Sequence, residues 1–293
     1  MIELVPNYYQ QFKCKADKCR HTCCAGWEID IDPDTLDLYQ SMGGPLGKEL
    51  HDNILSDGNT ASFKLVGKEE RCPFLNENNL CRLILERGDE ELLCDICHEH
   101  PRFYNYHDNM IEKGLGLACE EAARIVLGTR EEFTLIQSCP DTDEVPQYTE
   151  TAYIQRDEDI KIMTDRSLPL SSRIDRVCGP SKLDSVARAK LFSSLEILDP
   201  EWQRILEKLA ECESHSVHIP PEICYENLIV YYLFRYPMFT GKYALECALL
   251  AHDICVSLDE SYTLEEVVRR LSVEVEYSDI NPGMLADKLG ALR

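Results

Sequence analysis

Cysteine is the residue type that points to chemistry: fifteen in 293 residues, ten of them between positions 14 and 139 and nine before position 120. The first series is Cys14, Cys19, Cys23 and Cys24. A helical turn would place Cys19 and Cys23, four residues apart, on one face, and Cys14 can reach the same centre from a preceding loop. Cys23 and Cys24 are adjacent and point in different directions in regular structure, so they serve different roles or only one is a ligand. The second series is Cys72, Cys81, the Cys94-Asp95-Ile96-Cys97 step and Cys119. Cys-x-x-Cys is the tight chelate loop of zinc and iron–sulfur sites. It also occurs in thioredoxin-like motifs, but no βαβ pattern surrounds it here. A set of buried free thiols would not explain the clustering, so these nine cysteines are read as metal ligands. Thiolate count does not choose between zinc and an iron–sulfur cluster. Nine candidates exceed the four ligands of one centre, so either two centres exist or some cysteines only pack nearby.

His98, Glu99, His100 and Arg102 follow Cys97 directly and must lie close to what it binds. A histidine there can ligate or act as a base, and an arginine can grip a carboxylate bidentately. Both can instead be hydrogen-bond partners that orient thiolates.

The elements that carry these residues fall into two parts. To about Pro140 the chain reads as short elements around cysteine loops. Asp32-Pro33 is an N-cap with proline at the first helical position, opening a helix through Leu36 and Tyr39 that Gly43-Gly44-Pro45 ends. Short strands are expected at Phe63–Val66, and at Phe103–Tyr106 with Met110–Leu117 about a His107-Asp108-Asn109 turn. Glu120 to Leu127 reads as a helix with two acids in its first turn. From Asp141 to Ile160 there are seven acids and one base, Arg156, which reads as an acidic linker. Beyond it the apolar spacing is helical: Leu183 to Leu195, a helix capped by Asp199, Tyr225 to Tyr236, Tyr243 to Val256, and a capping box at Thr263–Glu266. Cys178, Cys212, Cys224, Cys247 and Cys255 are scattered singly there and read as small buried hydrophobes. The expected fold is mainly α: a cysteine-rich, metal-stabilised domain with short β hairpins over 1–140, a linker over 141–160, and a helical domain over 161–293.

Composition bounds the partners. The chain is 44% hydrophobic, so it can bury a core. Thirty basic against 53 acidic residues give a net charge of −23, which argues against nucleic acid as the main partner because phosphate binding needs a basic footprint. An acidic surface can attract a lysine-rich protein, and it also serves solubility alone. No apolar run approaches the roughly 20 residues of a membrane helix. Residues 1–6 have neither a basic nor an apolar leader segment. A soluble cytoplasmic protein with reduced thiols and no membrane partner is expected.

At these motifs the chain resembles the flagellin lysine-N-methylase family, and the wider group of zinc- or iron-chelating cysteine-rich proteins. The matching residues run from Phe12-Lys13-Cys14 through Cys23-Cys24-Ala25-Gly26-Trp27 to Ile29-Asp30-Ile31-Asp32-Pro33. They continue with Cys72-Pro73-Phe74-Leu75, Leu80-Cys81, Leu93-Cys94-Asp95-Ile96-Cys97, Pro101-Arg102 and Cys119 to Arg124, and more weakly with Glu226-Asn227 and Tyr231 to Arg235. Glu120 stands where the family pattern has proline, and His100 where it has tyrosine. The resemblance implies lysine N-methylation of flagellin, S-adenosylmethionine as donor, and a [4Fe–4S] cluster, with zinc as the alternative.

Methylation of lysine needs a neutral amine, and Glu112, Glu120 or Glu121 can hold or deprotonate its ammonium. For Glu120 and Glu121 a helix-dipole role is the stronger reading. Gly114 and Gly116, in Ile111-Glu112-Lys113-Gly114-Leu115-Gly116, superficially resemble a donor-binding glycine loop; a hairpin turn or close backbone packing is the plainer reading. His98 and Arg102 are further candidates for base and donor-carboxylate contact. Trp27, Tyr104 and Tyr106 can wall a cation or simply pack. The Cys-x3-Cys-x2-Cys pattern of radical enzymes is absent because Cys24 follows Cys23 directly. The alternative functions are a non-enzymatic zinc- or iron-binding adaptor and, less favoured, an electron-transfer protein.

Overall fold

The computed structural model describes residues 2–138, 147–214, 219–258 and 262–293. The chain forms two compact units, Lys13–Arg102, and Met1–Phe12 together with Phe103–Arg293. It begins in the second of these with strand β1 (Ile2–Pro6) and then leaves it for ninety residues.

The Lys13–Arg102 unit holds helices α1 (Pro33–Ser41) and α2 (Gly44–Asp52), a hairpin of β2 (Ile54–Ser56) and β3 (Ala61–Phe63), and short helices α3 (Arg82–Arg87) and α4 (Asp95–Glu99). The Asp32 carboxylate caps α1 by accepting from Thr35 N at 2.9 Å, and Pro33 starts the first turn. Gly43-Gly44-Pro45 does end α1, but Pro45 also opens α2, which the sequence reading took as loop. The hairpin lies a few residues ahead of the expected Phe63–Val66 strand. The core is Ile29, Ile31, Tyr39, Phe63, Phe74 and Leu92, joined by Cys72 and Cys94. Phe63 meets Phe74 edge to face at 5.2 Å.

The other unit has a four-stranded sheet in the order β4-β5-β1-β6, from β4 (Arg102–Tyr106), β5 (Met110–Leu115) and β6 (Leu135–Gln137). The β4–β5 turn is at His107-Asp108-Asn109, closed by His107 N donating to Met110 O at 2.9 Å. β1 runs parallel to β5, pairing Ile2 with Met110, and antiparallel to β6. Helices follow as α5 (Glu120–Gly128), α6 (Thr151–Thr164), α7 (Leu170–Val177), α8 (Ser185–Ser193), α9 (Pro200–Glu211), α10 (Ile223–Arg235), α11 (Gly241–Ser257), α12 (Leu264–Glu276) and α13 (Asn281–Leu289). Thr263 caps α12 by accepting from Glu266 N at 3.4 Å, as its sequence requires. α10 is buried on nearly every side, with Leu228 to Phe234 continuously buried, so it is the central helix of its unit.

Two expectations change. Residues 103–138 lie in the helical unit, because β5 pairs with β1 and α5 packs in the same core as α10; the units part at Arg102, not at 140. Of the segment read as an acidic linker, residues 141–146 lie outside the described residues, but 151–160 begin α6 and bury Arg156 and Asp159. Among the described residues thirteen helices make the fold mainly α, and none is long and apolar enough to cross a membrane.

Candidate functional site

Five of the nine front cysteines belong to or pack against one core in the Lys13–Arg102 unit. Cys24 O accepts from Cys72 N at 2.8 Å, and the adjoining Ala25–Arg71 bridge ties the first cysteine series to the second. Cys81 is the N-cap of α3, and a bridge from Leu75 turns its loop back toward Cys72. Cys94 is the N-cap of α4, where its carbonyl accepts from Cys97 N at 2.9 Å and brings the two thiols to 3.4 Å. The Asp32 carboxylate holds this turn from the side: Oδ1 caps α1 while Oδ2 accepts from Asp95 N at 2.9 Å. Tyr39, wholly buried, donates to Leu92 O at 2.5 Å just ahead of Cys94.

The thiols sense one another's charge. Burial pushes Cys72 up to about 12, and Cys24, Cys81 and Cys94 add to the rise. Burial raises Cys81, against the amides of Leu83 and Ile84. The hydrogen bond shared by Cys94 and Cys97 pulls Cys94 down and drives Cys97 up, so the pair gives up one proton readily and the second with difficulty. Cys24 is lowered to about 7, first by the Cys23 thiol and then by Thr22 and Arg71. Such a group resists ionising all at once, and a cation is what would let it do so. Cys24, Cys72, Cys81, Cys94 and Cys97 are therefore the residues that could hold a thiophilic metal. Among the described residues no three His, Cys, Asp or Glu side chains already stand in metal-holding geometry.

The remaining candidates lie outside this core, although the Cys23 thiol adjoins that of Cys24. Cys14 and Cys23 are exposed and Cys19 is half-buried; Cys14 Sγ accepts from Ala16 N at 3.4 Å. Cys119 belongs to the other unit as the N-cap of α5. His98, half exposed, has Nδ1 3.1 Å from Glu99 Oε1 and Nε2 3.7 Å from Glu90 Oε2. Arg102 Nη1 donates to His98 O at 3.1 Å, at the C-terminal end of α4. Glu121 pairs with Arg124 one helical turn on. Trp27 Nε1 donates to Cys23 O at 2.6 Å, whereas Tyr104 and Tyr106 stack on each other at 6.0 Å in the other unit.

Glu112 is not a free carboxylate. It is fully buried, bound through both oxygens by Arg156 at 2.7 Å, and also accepts from Tyr148 Oη and from Asn105 Nδ2 at 3.3 Å. Burial opposes its charge, but the Arg156 guanidinium and these hydrogen bonds prevail and hold its pKa below the usual value. A carboxylate so occupied has no lone pair to offer a substrate ammonium, so Glu112 is a structural anion. Gly114 is a strand residue rather than a donor cradle: a Cβ there would meet the Phe103 ring at 2.1 Å, so the close packing of β5 on β4 requires glycine. Gly116 follows β5 and accepts from Cys119 N at 3.4 Å. Sequence reasoning missed the second role of Asp32 and the Arg156–Glu112 pair. The signal for the latter was a single base among seven acids.

Comparison with known proteins agrees with the resemblance read from the motifs. Over 135 residues, 44% of this chain, it is 28% identical to the flagellar biosynthetic protein FliU of Salmonella muenchen, covering 79% of that protein. The same extent and identity hold for lysine-N-methylases of Salmonella typhimurium LT2 and Salmonella choleraesuis SC-B67. The match spans about a third (33%) of the length of those two enzymes. No protein-family model and no solved structure matches the chain.

Proposed function

We propose that this chain is a protein lysine N-methyltransferase acting on flagellin in the cytoplasm, with S-adenosylmethionine as donor and an iron–sulfur cluster at the gathered thiols. The observation that carries the reading is the 28% identity to two proteins named lysine-N-methylase. The flagellar name of the third relative supports flagellin as the substrate. The donor set fits a thiolate centre: five soft ligands from three chain segments, with Cys94 and Cys97 at 3.4 Å. Metal–sulfur bonds of about 2.3 Å in a tetrahedron put ligands ~3.8 Å apart, so a small opening of that pair would suit zinc, and a wider one an iron–sulfur cluster. When bound, a [4Fe–4S] cluster would supply folding free energy to the unit. The protein's own part in methyl transfer is to remove a proton from the lysine, align its lone pair with the donor's methyl group, and keep water out. A net charge of −23 helps collect a lysine-rich target.

The test is anaerobically prepared protein given S-adenosylmethionine and the flagellin of its own host. Methyl mass increments on flagellin lysines, with iron and acid-labile sulfide in the protein, are expected. Unmodified lysines with the cluster verified intact would sink the assignment. One observation favours a second reading, a non-enzymatic zinc- or iron-binding adaptor: Cys72 and Cys94 sit within the apolar core beside Phe74 and Leu92, where a metal would act as a staple. Stoichiometric zinc, no sulfide and unmodified flagellin would favour it.

A further inference from the structure

The Glu112 network adjoins a surface cleft of about 590 Å³ whose walls include Tyr106, His107, Asp108, Tyr148 and Glu150. This volume lies within the roughly 300–1,000 Å³ of small-ligand sites. His107 is the unusual wall residue. Its side chain is only 8% exposed, and Nε2 makes no hydrogen bond; Glu112 Oε2 stands 3.6 Å from it. A buried polar nitrogen without a partner is destabilising. The ring is clamped edge-on by Tyr153 at 4.4 Å and by Tyr148 at 5.3 Å. Tyr148 is itself fixed by its hydrogen bond to Glu112 and by the Arg156 guanidinium 4.9 Å from its ring. The wall is thus preorganised.

We propose that this cleft receives a lysine side chain of a protein substrate and that His107 takes the proton from its ammonium. The inference rests on the methyltransferase reading and deepens it. Glu112 Oε2, 3.6 Å from Nε2, places a negative charge beside the ring. The nearby Arg156 has both its guanidinium ends engaged by Glu112 and Asp157. Asp108 and Glu150 supply negative charge at the cleft, and Tyr106 supplies an aromatic ring for a cation. In the step, the ammonium gives one proton to His107. The freed nitrogen lone pair forms the new N–C bond as the carbon–sulfur bond of the sulfonium breaks, its electron pair staying on sulfur. The imidazolium then releases its proton to water.

Two measurements separate this inference from the reading beneath it. The first is anisotropy titration of the full chain with a labelled Ser-Gly-Lys-Gly-Ser peptide and its norleucine counterpart. The lysine peptide should bind more tightly, the Asp108→Asn, Glu150→Gln double variant should lose about fivefold, as for exposed charge pairs, and His107→Gln should stay within about twofold. Equal affinity for both peptides, or no loss in the double variant, overturns the cleft whether or not methylation is seen. The second is methylation rate against pH, with His107→Asn as a second variant and melting curves to confirm folding. His107→Gln should lower the rate at neutral pH by about 100-fold or more, with recovery of about tenfold per pH unit as the amine loses its own proton. An unchanged rate overturns the role of His107. A wild-type protein that binds the lysine peptide yet methylates no lysine overturns the methyltransferase reading, and the role of His107 with it, and leaves the cleft standing.

Discussion

Among single residues, the thiols divide by environment rather than by order along the chain. Serine at Cys94 or Cys97 should abolish retention of iron and sulfide and unfold the Lys13–Arg102 unit, whereas serine at Cys212 or Cys247 should leave metal content unchanged; equal loss from both pairs would refute the division. Cysteine spacing made the cluster legible but not its membership. Cys24 is tied to Cys72 beside the Ala25–Arg71 bridge, which spans 46 positions and which no local spacing announces. His100 makes a separate prediction. Burial, with Arg102 adding, pushes its imidazole down to about 4. The unfolded chain takes up this proton near the ordinary value of about 6.5, so the native state binds fewer protons between the two values. The stability His100 contributes is therefore complete above pH ~6.5 and falls by roughly 3 kcal/mol as pH drops toward 4. Urea denaturation of wild type and His100→Gln across that window should show the slope in the first and its loss in the second.

Among elements, Asp32 couples two helix starts. Each carboxylate oxygen accepts one amide, Thr35 N for α1 and Asp95 N for α4. Asparagine can replace only one of these, since its amide nitrogen donates. Asp32→Asn should cost about 1 kcal/mol in denaturant titration and speed iodoacetamide labelling of Cys94 and Cys97. Unchanged labelling would show that α4 does not need the second bond. The helices with local signals were legible: α1 from Asp32-Pro33, α12 from its capping box, α10 and α11 from their apolar spacing. α6 was not, because a run of charge reads as solvated. The buried Arg156 is gripped by Glu112, 44 positions earlier, and no local pattern announces such a partner. The His107 cleft escaped for the same reason, since it joins the β4–β5 turn to residues 147–150.

For the whole molecule, a net charge of −23 should make capture of a lysine-rich substrate salt-sensitive, raising KM with added salt while kcat holds. The route of the chain has a further effect. β1 pairs with β5 only after the Lys13–Arg102 unit has been threaded between them, Ile2 lying opposite Met110. To the sheet, that unit is a loop to be closed, and its entropic length depends on whether it is ordered. Shortening about 100 flexible residues to the equivalent of about 10 lowers the closure cost by about 2 kcal/mol. Filling the thiol group should therefore be felt at a strand that carries none of the thiols. Hydrogen exchange at the amides of Leu4 and Val5 should slow when metal is loaded and quicken when a chelator strips it, making the N-terminal strand a remote gauge of the centre's occupancy.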